Sequence, residues 1–163
     1  MKLFVSIMII LFTMSGCIFT PPANEYVIDK RTPAVTIEES NPLLDEAKNQ
    51  LGVPYRYGGM SPAGFDCSGF VCYVYQQAVG KKLPRTARAQ SQYGEKVSRE
   101  ALLPGDILFF DTAHRGAINH SGIYLGEGKF IHASSGQSYC VKISSLDKGF
   151  YKRVFRWARR VQY

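Results

Sequence analysis

The sequence has little histidine, and that scarcity narrows its chemistry. Only three histidines are present, His114, His120 and His132, and only four cysteines, Cys17, Cys67, Cys72 and Cys140. None of them stands in the close Cys-x-x-Cys or His-x-x-x-His pairs typical of zinc sites, so no metal is expected and no cofactor is called for. A long hydrophobic run is also missing. The apolar stretch Leu3 to Phe12 is too short to span a bilayer comfortably. Internal repeats and low-complexity blocks are absent, which leaves a single packed domain as the default for 163 residues. Acidic residues are outnumbered: 13 Asp and Glu face 20 Lys and Arg, a net charge of +7. Such a surface suits anionic polymers or lipid headgroups. Nucleic acid is not expected as a partner, because the N-terminus points to export, and the chain is expected to act as a monomer.

That N-terminus reads as Lys2 followed by an apolar h-region and then Met14-Ser15-Gly16-Cys17. Small residues at the two positions before the cysteine look like a bacterial lipobox, with Met14 where leucine is usual. Residues 1–16 are therefore expected to be a signal peptide, and Cys17 the lipidated first residue of the mature chain. The following Ile18, which is not aspartate, resembles the sorting signal for the outer membrane. Residues 17–41 carry Pro21, Pro22 and Pro33 without sustained periodicity and read as a tether holding the domain off the membrane. With Cys17 lipidated, three cysteines remain in an oxidising compartment, so at least one thiol stays free.

Residues 42–163 carry the domain. Asn41-Pro42 opens a short helix with Leu43, Leu44 and Ala47 on its apolar side, stopped at Gly52. The glycine-rich turn Tyr57 to Gly64 precedes Asp66-Cys67-Ser68-Gly69-Phe70-Val71, where Phe70, Val71, Val74 and Tyr75 recur at helical spacing until Gly80. Asp66 is a good N-cap, which puts Cys67 in the first turn of that helix. The unpaired N–H groups there favour a thiolate over a thiol, so Cys67 is the candidate nucleophile. A further helical piece is expected from Thr86 to Tyr93. The period then changes to two, with strands at 106–111, 120–125, 129–133, 140–143 and 153–158. Helices first and antiparallel strands afterwards make an α+β fold, N-terminal helices packed on one face of a sheet of about five strands.

His120 opens one strand and His132 lies near the end of the next, so a tight hairpin across Gly126-Glu127-Gly128 can set them side by side. Facing Cys67, they would be base and orienter. On the residues alone, two strand histidines satisfied by backbone groups is an equal reading. His114 reads as solvated and Cys72 as a small core residue, with a Cys72–Cys140 disulfide open.

The blocks Asp66-Cys67-Ser68-Gly69-Phe70-Val71, Leu103-Pro104-Gly105-Asp106-Ile107-Leu108-Phe109-Phe110, His120-Ser121-Gly122-Ile123-Tyr124 and His132-Ala133-Ser134, in this order, resemble the NlpC family of papain-like bacterial cell-wall cysteine peptidases. The resemblance runs from about Leu43 to the C-terminus. It implies Cys67 as nucleophile, His120 as base and His132 as orienting residue, with Tyr55 lining the oxyanion region. It also implies Asp66 and Ser68 as ligands of the substrate's free amine and D-glutamyl carboxylate, beside the plain reading of Asp66 as a cap. The Arg85 to Gln90 segment resembles one bordering the family groove, beside the plain reading of a solvated helix face. The expected activity is hydrolysis of peptidoglycan stem peptides at the γ-D-glutamyl–diamino acid bond. Cleavage of the D-alanyl cross-link is the same-class alternative. A non-catalytic wall-binding lipoprotein and an acyltransferase or amidase on a non-wall substrate are the rivals from other classes.

Overall fold

A computed structural model describes residues 40–163. The expected signal peptide, the Cys17 expected to carry lipid and all but the last two residues of the expected tether lie outside the described residues. Helix α1 (Pro42–Asn49) starts where the Asn41 side chain accepts from the amides of Leu43 and Leu44, at 3.1 and 3.4 Å, with proline in the first turn. Its buried Leu43, Leu44 and Ala47 face helix α2 (Cys67–Val79). Asp66 caps α2 by accepting from the Gly69 amide at 2.7 Å, and left-handed Gly80 ends it, donating to Gln76. The buried face of α2 is Phe70, Val71, Val74 and Tyr75, each worth about 1.5–3 kcal/mol relative to exposure.

Before α2 the chain makes a two-residue hairpin, β1 (Met60–Ser61) with β2 (Gly64–Phe65), inside the stretch expected to be only a turn. After α2, α3 (Ala87–Gln90) is shorter than expected and is capped by Thr86. The main sheet comprises β3 (Glu95–Val97), β4 (Ile107–Phe110), β5 (His120–Gly126), β6 (Lys129–Ala133), β7 (Val141–Ser145) and β8 (Phe155–Arg160). Its order is β3-β8-β4-β5-β6-β7, every pairing antiparallel. The sheet thus has six strands where about five were expected. The extra one, β3, is a three-residue edge strand too short to show a period, and pairing with β8 defines it.

Both faces of the sheet are covered. Ile107, Phe109, Ile123 and Ile131 pack with α1 and α2, while Leu108, Phe110 and Phe130 pack on the other side with Val154 and Leu146. That is why β4 reads as an unbroken apolar run. The second face holds a helix that the sequence did not suggest, α4 (Gly149–Val154), whose Tyr151 and Val154 face the sheet. Helices therefore lie on both faces, against the expectation of one.

Cys67, Cys72 and Cys140 are all free thiols. Cys72 lies beside the carbonyls of Pro84 and Leu83, at 3.3 and 3.7 Å, and makes no bridge to Cys140.

Candidate active site

Three segments meet at the start of α2: the β1–β2 hairpin with the loop before it, the Arg85–Gln90 stretch, and the start of β5. Gly69 makes the first approach possible. A Cβ there would collide with the Gly59 carbonyl, which in turn accepts from the Asp66 amide at 3.0 Å. The cleft between the segments, about 460 Å³, is lined by Tyr55, Tyr57, Asp66, Cys67, Arg85 and Asn119 among others.

Cys67 is the first residue of α2. Its sulfur lies 3.9 Å from the Asn119 carbonyl, and the Ser121 amide N–H is directed at it. These are the two neighbours of His120, so the thiol sits against the backbone on both sides of that histidine. The expected bias toward thiolate is overturned. Burial pushes the Cys67 thiol up, the nearby Asp66 charge adds to the rise, and the amide N–H groups of Ser121, Ser68 and Cys67 only partly offset it.

His120 and His132 are brought together. His120 Nε2 is 2.9 Å from His132 Nδ1, and His132 Nε2 is 3.0 Å from the Ser144 hydroxyl. Gly122 leaves the room for this. A Cβ at that position would stand 3.0 Å from His132 Cβ and closer still to Phe130 and the Ile131 carbonyl. Burial lowers the His120 pKa to about 4, and burial with the neighbouring His120 and Lys142 charges lowers His132 well below the usual value. At rest the group is therefore a neutral thiol beside neutral imidazoles. The bond to His132 occupies Nε2 of His120 and leaves Nδ1 as the nitrogen able to take the thiol proton. A His120 accepting at Nδ1 carries its own proton on Nε2 and donates it to His132, which then donates from Nε2 to Ser144.

The other sequence-derived residues divide. Tyr55 lines the cleft near Cys67, held edge-on to Tyr139 at 5.2 Å. Burial raises its pKa first, and the Cys67 and Asp66 charges raise it further, so it stays a neutral phenol able to donate. Asp66 and Ser68 are both present but engaged. Asp66 Oδ1 accepts from Gly69, the Ser68 hydroxyl and Arg85, while Oδ2 accepts from the Gly58 amide and Arg85. Burial alone would raise the Asp66 pKa, but Arg85, the Gly69 amide and Ser68 outweigh it and hold the carboxyl below its ordinary range. His114 lies exposed in the loop after β4, edge-on to Phe150 at 6.4 Å, and makes no hydrogen bond to the pair.

Three residues to which the sequence reading gave no role of their own complete the site. Gln90, 1% exposed, donates to the Ser68 and Pro84 carbonyls and accepts from the Ser121 hydroxyl. It thereby ties the residue after Cys67 to the residue after His120. Tyr151 on α4 stacks on His120 at 6.0 Å and meets His132 edge-on at 5.0 Å, closing that side of the pair. Ser144 ends the hydrogen-bonded run. Only Gln90 had a sequence signal, as the last residue of the Arg85–Gln90 block. A serine in an alternating strand and a tyrosine in a six-residue helix carry none.

Likeness to known proteins points to one family. Residues 52–160 match the NlpC/P60 family. The chain is 42% identical to the gamma-DL-glutamyl hydrolase of Bacillus subtilis, over 83% of this chain and 32% of that protein. It is 36% identical to the probable endopeptidase NlpC of Escherichia coli, over 97% of this chain and 99% of that protein. It is 41% identical to the murein DD-endopeptidase MepH of Escherichia coli, over 72% of this chain and 44% of that protein. It thus spans less than half the length of two of these three relatives. Among solved structures, an NlpC/P60 family protein from Bacillus cereus superposes with a TM-score of 0.68 at 36% identity, over 73% of this chain and 39% of that one. With the motif blocks in order and a papain-like α+β fold beneath them, the chain belongs to the NlpC/P60 family.

Proposed function

We propose that this protein is a cysteine endopeptidase of peptidoglycan stem peptides, with Cys67 as nucleophile, His120 as base and His132 as orienting residue. The observation that carries the reading is the run of hydrogen bonds that links His120, His132 and Ser144, with the thiol packed against both neighbours of His120. His120 Nδ1 takes the thiol proton as sulfur attacks the scissile carbonyl carbon. The amide of Cys67 and the Tyr55 hydroxyl receive the developing oxyanion. Collapse breaks the C–N bond, and His120 returns the proton to the leaving amine. Water, deprotonated by the same imidazole, then releases the acyl group from sulfur. Because both partners rest neutral, proton transfer accompanies attack.

The bond favoured is γ-D-glutamyl–diamino acid. Arg85 lines the cleft with Cys67, within reach of the free α-carboxylate of the D-glutamate whose γ-carbonyl is attacked. A second reading, the D-alanyl cross-link, is favoured by the engagement of Asp66 with Arg85, which removes a free amine as the register mark. Offering a free tetrapeptide stem and a cross-linked dimer side by side separates them by mass spectrometry. Release of L-alanyl-D-glutamate supports the first, and conversion of dimer to intact monomers supports the second. Dimer and stem both left whole would refute the endopeptidase.

The proposal extends to residues 1–16 as signal peptide, residues 17–41 as lipidated tether and residues 42–163 as catalytic domain. It places the protein on the outer membrane facing the periplasm through lipid on Cys17, as a monomer. Motives are the Ser15-Gly16-Cys17 junction and the proline-bearing stretch after it. Cys17→Ala is expected to move the protein out of the membrane fraction or leave an uncleaved precursor. Palmitate labelling that persists in that variant would overturn the anchor.

A further inference from the structure

Each imidazole of the pair has one aromatic ring lying nearly flat against it. On His132 it is Phe130, with centroids 4.8 Å apart and an interplanar angle of 26°. On His120 it is Tyr151, at 6.0 Å and the same angle. The other rings near His120 stand off parallel: Phe110 is tilted by 45° and His132 lies at 88°. Phe130 belongs to the same strand as His132 and comes with the sheet. Tyr151 arrives from α4, a helix of six residues with no side-chain cap at its start.

His120 needs that flat neighbour. Its Nε2 is fixed by the bond to His132, but no hydrogen bond among the described residues holds Nδ1. Rotation about the Cβ–Cγ bond of a histidine has only broad minima. Nε2 lies near that axis and Nδ1 lies well off it. The ring can therefore swing with little strain on its bond to His132, carrying Nδ1 away from the thiol. A ring stacked on its face resists the swing.

Tyr151 is itself held. It meets Phe110 and Phe130 edge-on at 5.3 and 4.9 Å. Burial raises the pKa of its phenol, a hydrogen bond with the Ser134 hydroxyl opposes the rise, and a charge on the nearby Cys67 adds to it. The side chain thus spans from α4 across His120 toward Ser134 and the thiol.

We infer that Tyr151 is a positioning residue of this site: its ring holds the plane of His120, so that Nδ1 stays turned to the Cys67 thiol. The inference rests on the cysteine-peptidase reading above and adds a residue which that reading does not use. Tyr151 acts through His120, so its loss is felt in kcat and little in KM.

Two variants of the full chain test this on the tetrapeptide stem, with thermal unfolding of each as the check on its fold. Tyr151→Phe keeps the flat ring and is expected to keep kcat within about twofold. Tyr151→Leu fills the space without a flat face and is expected to lower kcat roughly 10- to 100-fold, with KM within about twofold. Wild-type kcat in Tyr151→Leu would overturn the inference. So would a Tyr151→Phe enzyme as slow as Tyr151→Leu, because the role would then belong to the hydroxyl. NMR relaxation of the His120 ring carbons reads the swing without any turnover. A lower order parameter is expected in Tyr151→Leu than in the wild type and Tyr151→Phe, and equal values in all three would refute the positioning role. A wild-type protein that cuts neither stem nor dimer would end the peptidase reading, while the ring relaxation still decides whether Tyr151 holds His120.

Discussion

The two sides of Cys67 are built on opposite principles. On the sheet side, His120, His132 and Ser144 form a run without a formal charge, its two imidazoles buried and roofed by Tyr151. On the helix side, Asp66, Ser68 and Arg85 form a charged group at a helix start, half open to the cleft. Burial decides the first: it keeps both imidazoles neutral, so that a proton can be accepted at one defined nitrogen. Hydrogen bonding decides the second: it keeps Asp66 ionised against a burial cost and leaves Arg85 facing outward. The neutral side is suited to moving protons and the charged side to holding substrate. Substitutions should therefore separate kcat from KM according to the side they touch.

The largest effect belongs where the two sides meet. Cys67→Ser is expected to reduce turnover of muropeptides by on the order of 10⁴-fold, with thermal unfolding unchanged. Near-wild-type cleavage by this variant would end the assignment. His132→Ala should lower kcat by about 10² to 10³-fold and KM little, because it frees the tautomer and direction of His120. His132→Gln should recover part of the loss. A His132→Ala enzyme with normal kcat and raised KM would move this residue to the substrate-holding side.

Acid should weaken the neutral side as a whole. His120 titrates near 6.5 when unfolded and at about 4 in the fold, so between those values the unfolded chain binds a proton that the folded one refuses. Stability is then full above about pH 6.5 and falls as pH drops toward 4, by roughly 3 kcal/mol for this group alone. His132 acts in the same direction. Urea unfolding at pH 7.5, 5.5 and 4.5 reads the slope directly, and a flat profile would mean that the histidines are accessible to protons in the fold.

Asp66→Asn strikes the charged side. It leaves Arg85 without its counter-charge and weakens the cap of α2, for an expected loss of roughly 2 kcal/mol in stability. KM should change more than kcat, measured on the tetrapeptide stem. A pure kcat effect would erase the division between the sides. Ser144→Ala should be the mildest, a few-fold in kcat, because half-exposed Ser144 can be replaced by water as the acceptor for His132. A loss as large as that of His132→Ala would show that the run extends functionally to its end.

Much of this was legible before any fold was known. Asn41, Asp66 and Gly80 announce their helix ends through local chemistry, and the β5–β6 hairpin follows from two alternating runs around a glycine turn. The motif blocks led to Cys67, His120, His132 and Tyr55. What stayed hidden depends on partners distant in the chain. Strand β3 exists because β8 pairs with it, and α4 exists because Phe110 and Phe130 offer Tyr151 and Val154 a surface. Gln90 owes its role to two residues, Ser68 and Ser121, that lie 22 and 31 positions away.

The sequence by itself determined the elements whose signals are local: capped helices, alternating strands, a cysteine at a helix start and the histidine pair one hairpin apart. Only the tertiary structure decided the state of those groups. Helix-start chemistry alone predicts a thiolate at Cys67, yet burial keeps it a thiol. The family resemblance implies Asp66 as a ligand of a substrate amine, yet Arg85, nineteen residues on, folds back to occupy it. Charge state depends on desolvation and on the nearest opposite charge, and both are set by what packs around a residue, which its neighbours in sequence do not specify.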